Sequence, residues 1–510
     1  MSSAQDPIDW IDVAAGQPQR PFLQLPQGRG FSYAALLEQS GRIASALIER
    51  GVGPGDRVAA QIDKSADAIF LYIACLRLGA VFVPINVANT PNEVEYFLAD
   101  SQPRLAVIRP QDENLIEPLA RRAKVAGIDT MDADGGGSLL KVAARSGADF
   151  ESPRAPEPGS IAAIIYTSGT TGRAKGAMLT RANLASNAAA LAEGWRFSGD
   201  DVLLHTLPLF HIHGLFVAIN TVLASMASVL LLPTFDAAEA LACFPRATVY
   251  MGVPTHYTRL LQQRALGRGT TARMRLFVSG SAPLPAETQR EFLQRTGHAI
   301  LERYGMSETL INASNPYDGR RLPGSVGPPL NGTSMRVANA ETGAIDIEPD
   351  VIGTLEVKGP NVFAGYWRDE QKTRGEFSAD GWFKTGDIGR IDGNGYVHIV
   401  GRAKDLVISG GYNVYPKEVE SELDAVQGVL ESAVFGVPHP DFGEGVTAVV
   451  VAKPGAILSE ETIVASVKPR LAGYKVPKRI LLVDELPRNS MGKVQKNTLR
   501  KIFAAIYADR

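Results

Sequence analysis

Residues 166–176 read YTSGTTGRAKG, three glycines, four serine or threonine hydroxyls and a lysine set directly after the apolar run IAAII. Glycines let backbone N–H groups approach an anion closely, hydroxyls donate to its oxygens, and a lysine supplies charge, which together suit a phosphate group. The spacing is not that of the common nucleotide loop G-x-x-x-x-G-K-[ST]. Counted from Gly169, the sixth position is Ala174, and Gly176 follows Lys175 where a metal-binding hydroxyl would stand. The same composition also occurs in flexible linkers, so the loop alone leaves both readings open.

Six further segments carry residues able to do chemistry: LPLFHIHG (207–214), VSGSAPL (278–284), ERYGMSET (302–309), WFKTGD (382–387), GRAKDLVISGGYNVYPKEVE (401–420) and PRNSMGKVQK (487–496). Singly they are weak signals. Asp387 in KTGD reads as a turn residue, and Lys493 is one of 52 lysines and arginines. His211 and His213 could suggest a metal, but no further ligands cluster near them in the sequence.

In this order the seven segments closely resemble the acyl-adenylate-forming superfamily, over nearly the whole chain. The one departure noted is Ala174, where the family usually has proline; the expected cost is loop stiffness. The resemblance implies that a carboxylate attacks the α-phosphate of ATP to give an acyl-AMP and pyrophosphate. A thiol, usually that of coenzyme A, then attacks the adenylate. Such chemistry rests on positioning and charge neutralisation.

By resemblance, Thr167, Ser168, Gly169, Thr170, Thr171, Gly172 and Lys175 would grip the β- and γ-phosphates. Gly280, Ser281, Ala282 and Pro283 would lie on one side of the adenine, with Glu302, Arg303, Tyr304, Gly305 and Met306 from the ERYGM segment on the other. Ser307 would touch the α-phosphate, Glu308 would hold Mg²⁺, and Asp387 with Arg402 would bind the ribose. Lys493 would stabilise charge developing at the α-phosphate and carboxylate, as the main catalytic residue beside Ser307 and Glu308. Lys404 stands at the family's hinge position. Gly410 and Gly411 would line the path of the pantetheine thiol, although SGG reads equally well as a plain hairpin turn. Lys493 is also a candidate target for lysine-modifying enzymes.

An acyl pocket for a long fatty acid should be apolar. Here Arg259, in MGVPTHYTRLL, and Arg303 bring cations to it, joined by Ser281 and His213. Arginine suits charge-assisted binding of a second carboxylate. The plainer alternative makes Arg259 an exposed helix residue and pairs Arg303 with Glu302. Within the superfamily, MGVPT, YTRLL, SGSAPL, ERYGM, SNPYDG and MGKVQK are similar to the malonyl-CoA synthetases, which points to malonate. The alternatives are a short-chain or aryl acyl-CoA ligase, a stand-alone carrier-loading adenylation enzyme, and a non-catalytic nucleotide sensor. Retention of Glu308, Asp387, Arg402 and Lys493 argues against the sensor.

These residues need a scaffold. Alternating helical and strand patterns run from SYAALLEQSGRIASALIERG through VFVPIN, LAVIR, AAIIY, SVLLLP, TVYMGVP and LFVSGS, predicting βα units around buried, largely parallel sheets. From about residue 330 short strand-like runs with glycine turns predict a smaller β-rich section. After GRAKD the pattern becomes helix, strand, strand, helix, strand. The fold class expected is α/β: a large N-terminal domain over 1–401 and a small, mobile α+β domain over 402–510, hinged near Lys404. At 510 residues the chain is too long for one ordinary core. A formal charge of −2 gives no reason to expect nucleic acid or an anionic membrane as partner. Cys75 and Cys243 sit far apart among apolar neighbours and are expected to be buried thiols. Residues 215–233 are apolar but interrupted by Asn220, Thr221, Ser225 and Ser228, so they predict a buried helix running into a strand. The N-terminus lacks a basic region followed by an apolar stretch, and a cytoplasmic protein is expected.

Overall fold

A computed structural model of the chain describes residues 6–151, 157–167, 173–339, 342–346, 348–489 and 492–508. Two large sheets carry most of the first 330 residues. One has seven strands, in the order Gly365–Tyr366, Lys175–Thr180, Ile161–Thr167, Val81–Pro84, Arg57–Gln61, Leu105–Ile108 and Gly127–Thr130. The other has eight, from Leu310–Ser314 through Leu301–Met306, Leu276–Ser279, Val249–Gly252, Val202–His205 and Ser228–Leu231 to Pro21–Gln24 and Gly30–Ser32. Their central pairs are parallel and antiparallel pairs lie at the margins. Apolar runs such as Leu276–Ser279 are buried at every position, as strands covered on both faces must be.

The helices between them start and stop where local chemistry dictates. Ser32 accepts a hydrogen bond from the Ala35 N–H at 3.2 Å to open Tyr33–Glu49. Ser65 caps Ala66–Leu78, which ends on Gly79 in the left-handed region at φ +77°. Eleven of that helix's 13 residues are buried, so it lies sandwiched inside the core. Residues 215–233 form a buried π-helical segment, His213–Ile219, then Asn220–Ser225 and the strand Ser228–Leu231. Among the described residues no helix is long and apolar enough to cross a membrane. Cys75 and Cys243 are both buried.

A five-stranded sheet follows, in the order Ile345–Asp346, Ser334–Ala338, Gly353–Lys358, Phe383–Ile391 and Val397–Arg402. The last sheet is built from the hairpin Val407–Ser409 and Tyr412–Val414, the long antiparallel pair Val429–His439 and Gly443–Ala452, and the parallel strand Arg479–Leu482. Helices Pro416–Asp424 and Glu460–Val467 share its core through Val419, Leu423, Ile463 and Val467. The architecture is the mixed α/β one anticipated.

Candidate active site

Parallel strands end together, and the carboxyl ends of such strands are where an α/β sheet binds ligands. Val202–His205, Val249–Gly252 and Leu276–Ser279 run side by side in register, and Ser279 pairs onward with Glu302. Beyond those ends lie the histidine segment 207–214, the arginine helix Pro254–Leu261, and residues 280–284. Four of the segments singled out by sequence therefore meet at one edge.

Within Leu301–Met306 alternate side chains point to opposite faces. Glu302 turns toward Leu284, whose N–H donates to its Oε1 at 3.0 Å. Arg303 turns the other way, buried, and its Nε and Nη2 have no hydrogen-bond partner among the described residues. The alternative that pairs Arg303 with Glu302 is thereby overturned. Desolvation lowers the Arg303 guanidinium to about 9, with Tyr257 opposing. A buried cation with unpaired donors is costly unless an anion completes it. Gly280 makes room for it: a Cβ there would lie 2.4 Å from Arg303 Cζ.

Ser281 holds φ +70°, the left-handed region a serine seldom enters, and its Oγ lies 3.3 Å from Nδ1 of buried His213. Burial, then Arg303, hold both His213 and its neighbour His211 below the usual imidazole value, His211 at about 4. These rings are neutral, and no group of His, Cys, Asp or Glu among the described residues is clustered as a metal site.

The next strand pair is joined by a tight turn at 305–310. A Cβ on Gly305 would lie 1.8 Å from the Leu310 carbonyl, and a bulge falls between Tyr304 and Gly305. Met306 and Ser307 stand half-buried at its tip. Glu308 is buried, its Oε1 accepts from the Tyr366 hydroxyl at 3.0 Å, and burial raises its carboxyl above the ordinary value. Lys175 Nζ sits 5.5 Å from the centroid of the same tyrosine ring. Tyr366 thus links the phosphate-loop lysine to the acidic turn. Thr167 and Lys175 are opposite each other in an antiparallel pair, so the loop closes a hairpin. Ser168, Gly169, Thr170, Thr171 and Gly172 lie outside the described residues.

Asp387 and Arg402 face each other across the pair Phe383–Ile391 and Val397–Arg402. The Arg402 Nε lies 2.7 Å from Asp387 Oδ1, and the Tyr304 hydroxyl donates to Oδ2 at 2.5 Å. Lys493 arrives from the C-terminal sheet, with Arg402, Lys404, Asp387 and Asp405 as its charged neighbours. Desolvation, then Arg402 and Lys404, depress its ammonium, while Asp387 and Asp405 oppose this. It also acts on His211. Lys404 is exposed on the turn Ala403–Asp405, which Arg500 anchors through Asp405 at 2.9 Å. Gly410 and Gly411 form the exposed turn of the hairpin between Val407–Ser409 and Tyr412–Val414. The structure does not bring them to the cluster described above.

Arg259 is exposed in the helix Pro254–Leu261, and it also lines a cavity of about 270 Å³. Phe235, Thr255 and His256 share that wall, and Arg488, Asn489 and Gly492 close it from the C-terminal side. The Phe235 and His256 rings stack at 3.7 Å, and desolvation, then Arg259, hold His256 at about 3. Tyr366, Phe235, His256 and Arg488 were not singled out from the sequence. Only the position of Arg488, five residues before Lys493, hinted at one of them.

The candidate site contains the cations Lys175, Arg259, Arg303, Arg402 and Lys493 and the buried carboxylates Glu308 and Asp387. It can neutralise an anionic phosphate chain and a carboxylate together. The unpaired Arg303 donors fit an anion, and the Glu308 carboxylate is an oxygen donor of the kind a hard cation takes.

The family model described as AMP-binding enzyme matches residues 11–367, and that of the AMP-binding enzyme C-terminal domain matches 418–493. The ATP-bound crystal structure of MatB from Rhodopseudomonas palustris superposes with a TM-score of 0.95 at 51% identity, covering 99% of this chain and 100% of that one. Indoleacetate–CoA ligase of Aromatoleum aromaticum is 35% identical over 97% of this chain and 98% of its own length. The mitochondrial malonate–CoA ligase ACSF3 of Mus musculus is 37% identical over 83% of this chain and 77% of its own.

Proposed function

The chain belongs to the AMP-binding enzyme family as an ATP-dependent, adenylate-forming acyl-CoA synthetase, and from that premise we propose that its acid is malonate. The observation that carries this reading is Arg303, a buried guanidinium with two unpaired N–H donors beside Ser281 and His213. A neutral acyl chain would leave those donors unsatisfied, whereas a second carboxylate accepts them. Arg259 adds a further cation, on the wall of the cavity that Arg488, Asn489 and Gly492 close. The identity to a malonate–CoA ligase supports the same choice.

In this reading the residues 167–172 and Lys175 hold the β- and γ-phosphates. Gly280 to Pro283 and the strand residues Glu302 to Met306 flank the adenine, and Asp387 with Arg402 take the ribose. Ser307 meets the α-phosphate. Mg²⁺, when bound, supplies charge neutralisation on the phosphate oxygens, and Glu308 is the carboxylate that would hold it. A carboxylate oxygen of malonate attacks the α-phosphorus while the bond to the departing pyrophosphate breaks. Lys493 stabilises the charge that develops there. The sulfur of coenzyme A then attacks the acyl carbonyl, its proton passes to solvent, and AMP leaves with the C–O electron pair. Between the two steps the domain from Arg402 onward turns about Lys404 and carries Gly410 and Gly411 to the thiol's path.

The test is an AMP-release assay with ATP, Mg²⁺ and coenzyme A against a panel of acids. Malonate should give the highest kcat/KM; an aryl or short monocarboxylic acid that exceeds it would overturn the assignment.

A further inference from the structure

The segment that carries Lys493 is tied down by contacts on three sides. Asn489 and Lys493 bond reciprocally: the Asn489 N–H donates to the Lys493 carbonyl at 3.0 Å, and the Lys493 N–H donates to Asn489 Oδ1 at 2.9 Å. The Gly492 N–H donates to the Asn489 carbonyl at 2.8 Å, and Gln495 bonds back to Pro487 at the same distance. Arg488 then fixes this unit to the sheet. Its Nη1 donates to the Gly492 carbonyl at 2.6 Å, and its Nη2 is ion-paired with Glu431 on the strand Val429–His439. Both side chains are largely withdrawn from water, at 26% and 30% exposure, which favours the pair over an ordinary surface one. On the opposite side Gly492, at φ +73°, packs against the arginine helix. A Cβ there would lie 3.0 Å from Thr255 Oγ1.

We propose that Glu431 and Arg488 are positioning residues for Lys493, setting the 492–493 peptide so that its amine reaches the reacting phosphate. The inference rests on the reading of Lys493 given above. Arginine suits position 488 because its planar fork holds a carboxylate and a carbonyl in fixed directions, which a lysine's freely rotating ammonium does not. Lys493 hangs on a long flexible side chain, so the place of its backbone decides where the amine dwells. A displacement of about 1 Å at such a point can cost up to ~100-fold in rate. Glu431 touches neither substrate nor nucleotide in this scheme and acts only through Arg488.

The experiment uses the full chain with Glu431→Gln and Arg488→Lys, each also placed on a Lys493→Ala background. Adenylation is followed as malonate-dependent ATP–pyrophosphate exchange, and thioester formation as consumption of supplied malonyl-AMP by coenzyme A. Expected is a ~10- to 100-fold fall in adenylation for either single variant, thioester formation unchanged in Glu431→Gln, and no further loss of adenylation when either is added to Lys493→Ala. Equal loss in both half-reactions, undiminished adenylation, or additive loss on the Lys493→Ala background overturns the inference. A Lys493→Ala protein with wild-type exchange would bring down the underlying reading and the inference with it. An inactive Lys493→Ala beside an unimpaired Glu431→Gln brings down the inference alone. Should the wild type prefer another acid, that acid and its adenylate replace malonate and the comparison is unchanged.

Discussion

The guanidinium of Arg303 lies against the backbone of Gly280, so near that a Cβ on residue 280 would stand 2.4 Å from its Cζ and 2.5 Å from its Nε. The arginine is buried and cannot simply swing into solvent. Gly280→Ala should therefore move Arg303 and lower kcat/KM for the acid by about tenfold or more, on the scale of one disturbed charged hydrogen bond. Residue 280 has no positive φ, so the backbone tolerates alanine and the fold should survive. Steady-state kinetics beside a thermal melt separate the two effects. Full activity in Gly280→Ala would mean that Arg303 does not need its present place.

Lys493 has Arg402, Asp387, Lys404 and Asp405 as charged neighbours, and desolvation depresses its ammonium. Lys493→Ala should cut adenylation by ~10²- to 10³-fold, the usual cost of losing one charge-stabilising donor. Thioester formation from supplied acyl-AMP should continue. Parallel loss of both half-reactions would remove Lys493 from the role assigned to it.

Arg259 lines the cavity of about 270 Å³ but is exposed and makes no ion pair among the described residues. Arg259→Ala should raise KM for malonate by ~10- to 100-fold, the value of a charge-assisted hydrogen bond. The KM for acetate or butyrate should stay near its starting value. An equal rise for all three acids would end the claim that Arg259 reads a second carboxylate.

Glu302 offers a test by pH. Burial pushes its carboxyl up to about 7, while the Leu284 N–H and Lys417 pull the other way. Its ordinary value is 4.5, so between the two the folded protein holds a proton that the unfolded chain has released. Stability from this group is thus complete below the lower value and is lost as pH rises through about 7. Glu302→Gln keeps an acceptor for Leu284 and cannot ionise. Its advantage over the wild type should be absent near pH 4.5 and grow to on the order of 2–3 kcal/mol by about pH 8, measured as urea midpoints. A pH-independent difference between the two proteins would show that Glu302 stays ionised throughout.

Much of the scaffold could be read locally. Ser32 and Ser65 announce their helices, Gly79 ends one, and buried parallel strands appear as unbroken apolar runs. Local reading went astray where a neighbour in sequence intervened. The second helix of the C-terminal pattern covers only Glu460–Val467: Lys468 still has helical backbone, but Pro469 has no N–H with which to continue the ladder. The SGG segment between Val407 and Val414 is the turn of a short paired hairpin, one of the two readings its sequence allowed. Tyr366 left no trace in the sequence. Its link to Glu308 and Lys175 depends on a two-residue strand pairing with one almost two hundred residues earlier.

Residue type named candidate donors, glycines and hydroxyls for phosphate and arginines for carboxylate, while the role of the lysine behind a glycine came from the resemblance of the seven ordered segments to the superfamily. Those properties are local, since a short segment either has the donors and the backbone freedom or lacks them. Partnership is not local. Glu302 and Arg303 are adjacent in the chain, yet strand geometry turns one to the Leu284 amide and leaves the other unpaired. Glu431 and Thr255 come from distant parts of the chain to the segment that holds Arg488, Gly492 and Lys493. Desolvation, which sets the charge on Arg303, Glu302 and Lys493, is a sum over everything packed around a group, and only the folded chain assembles that sum.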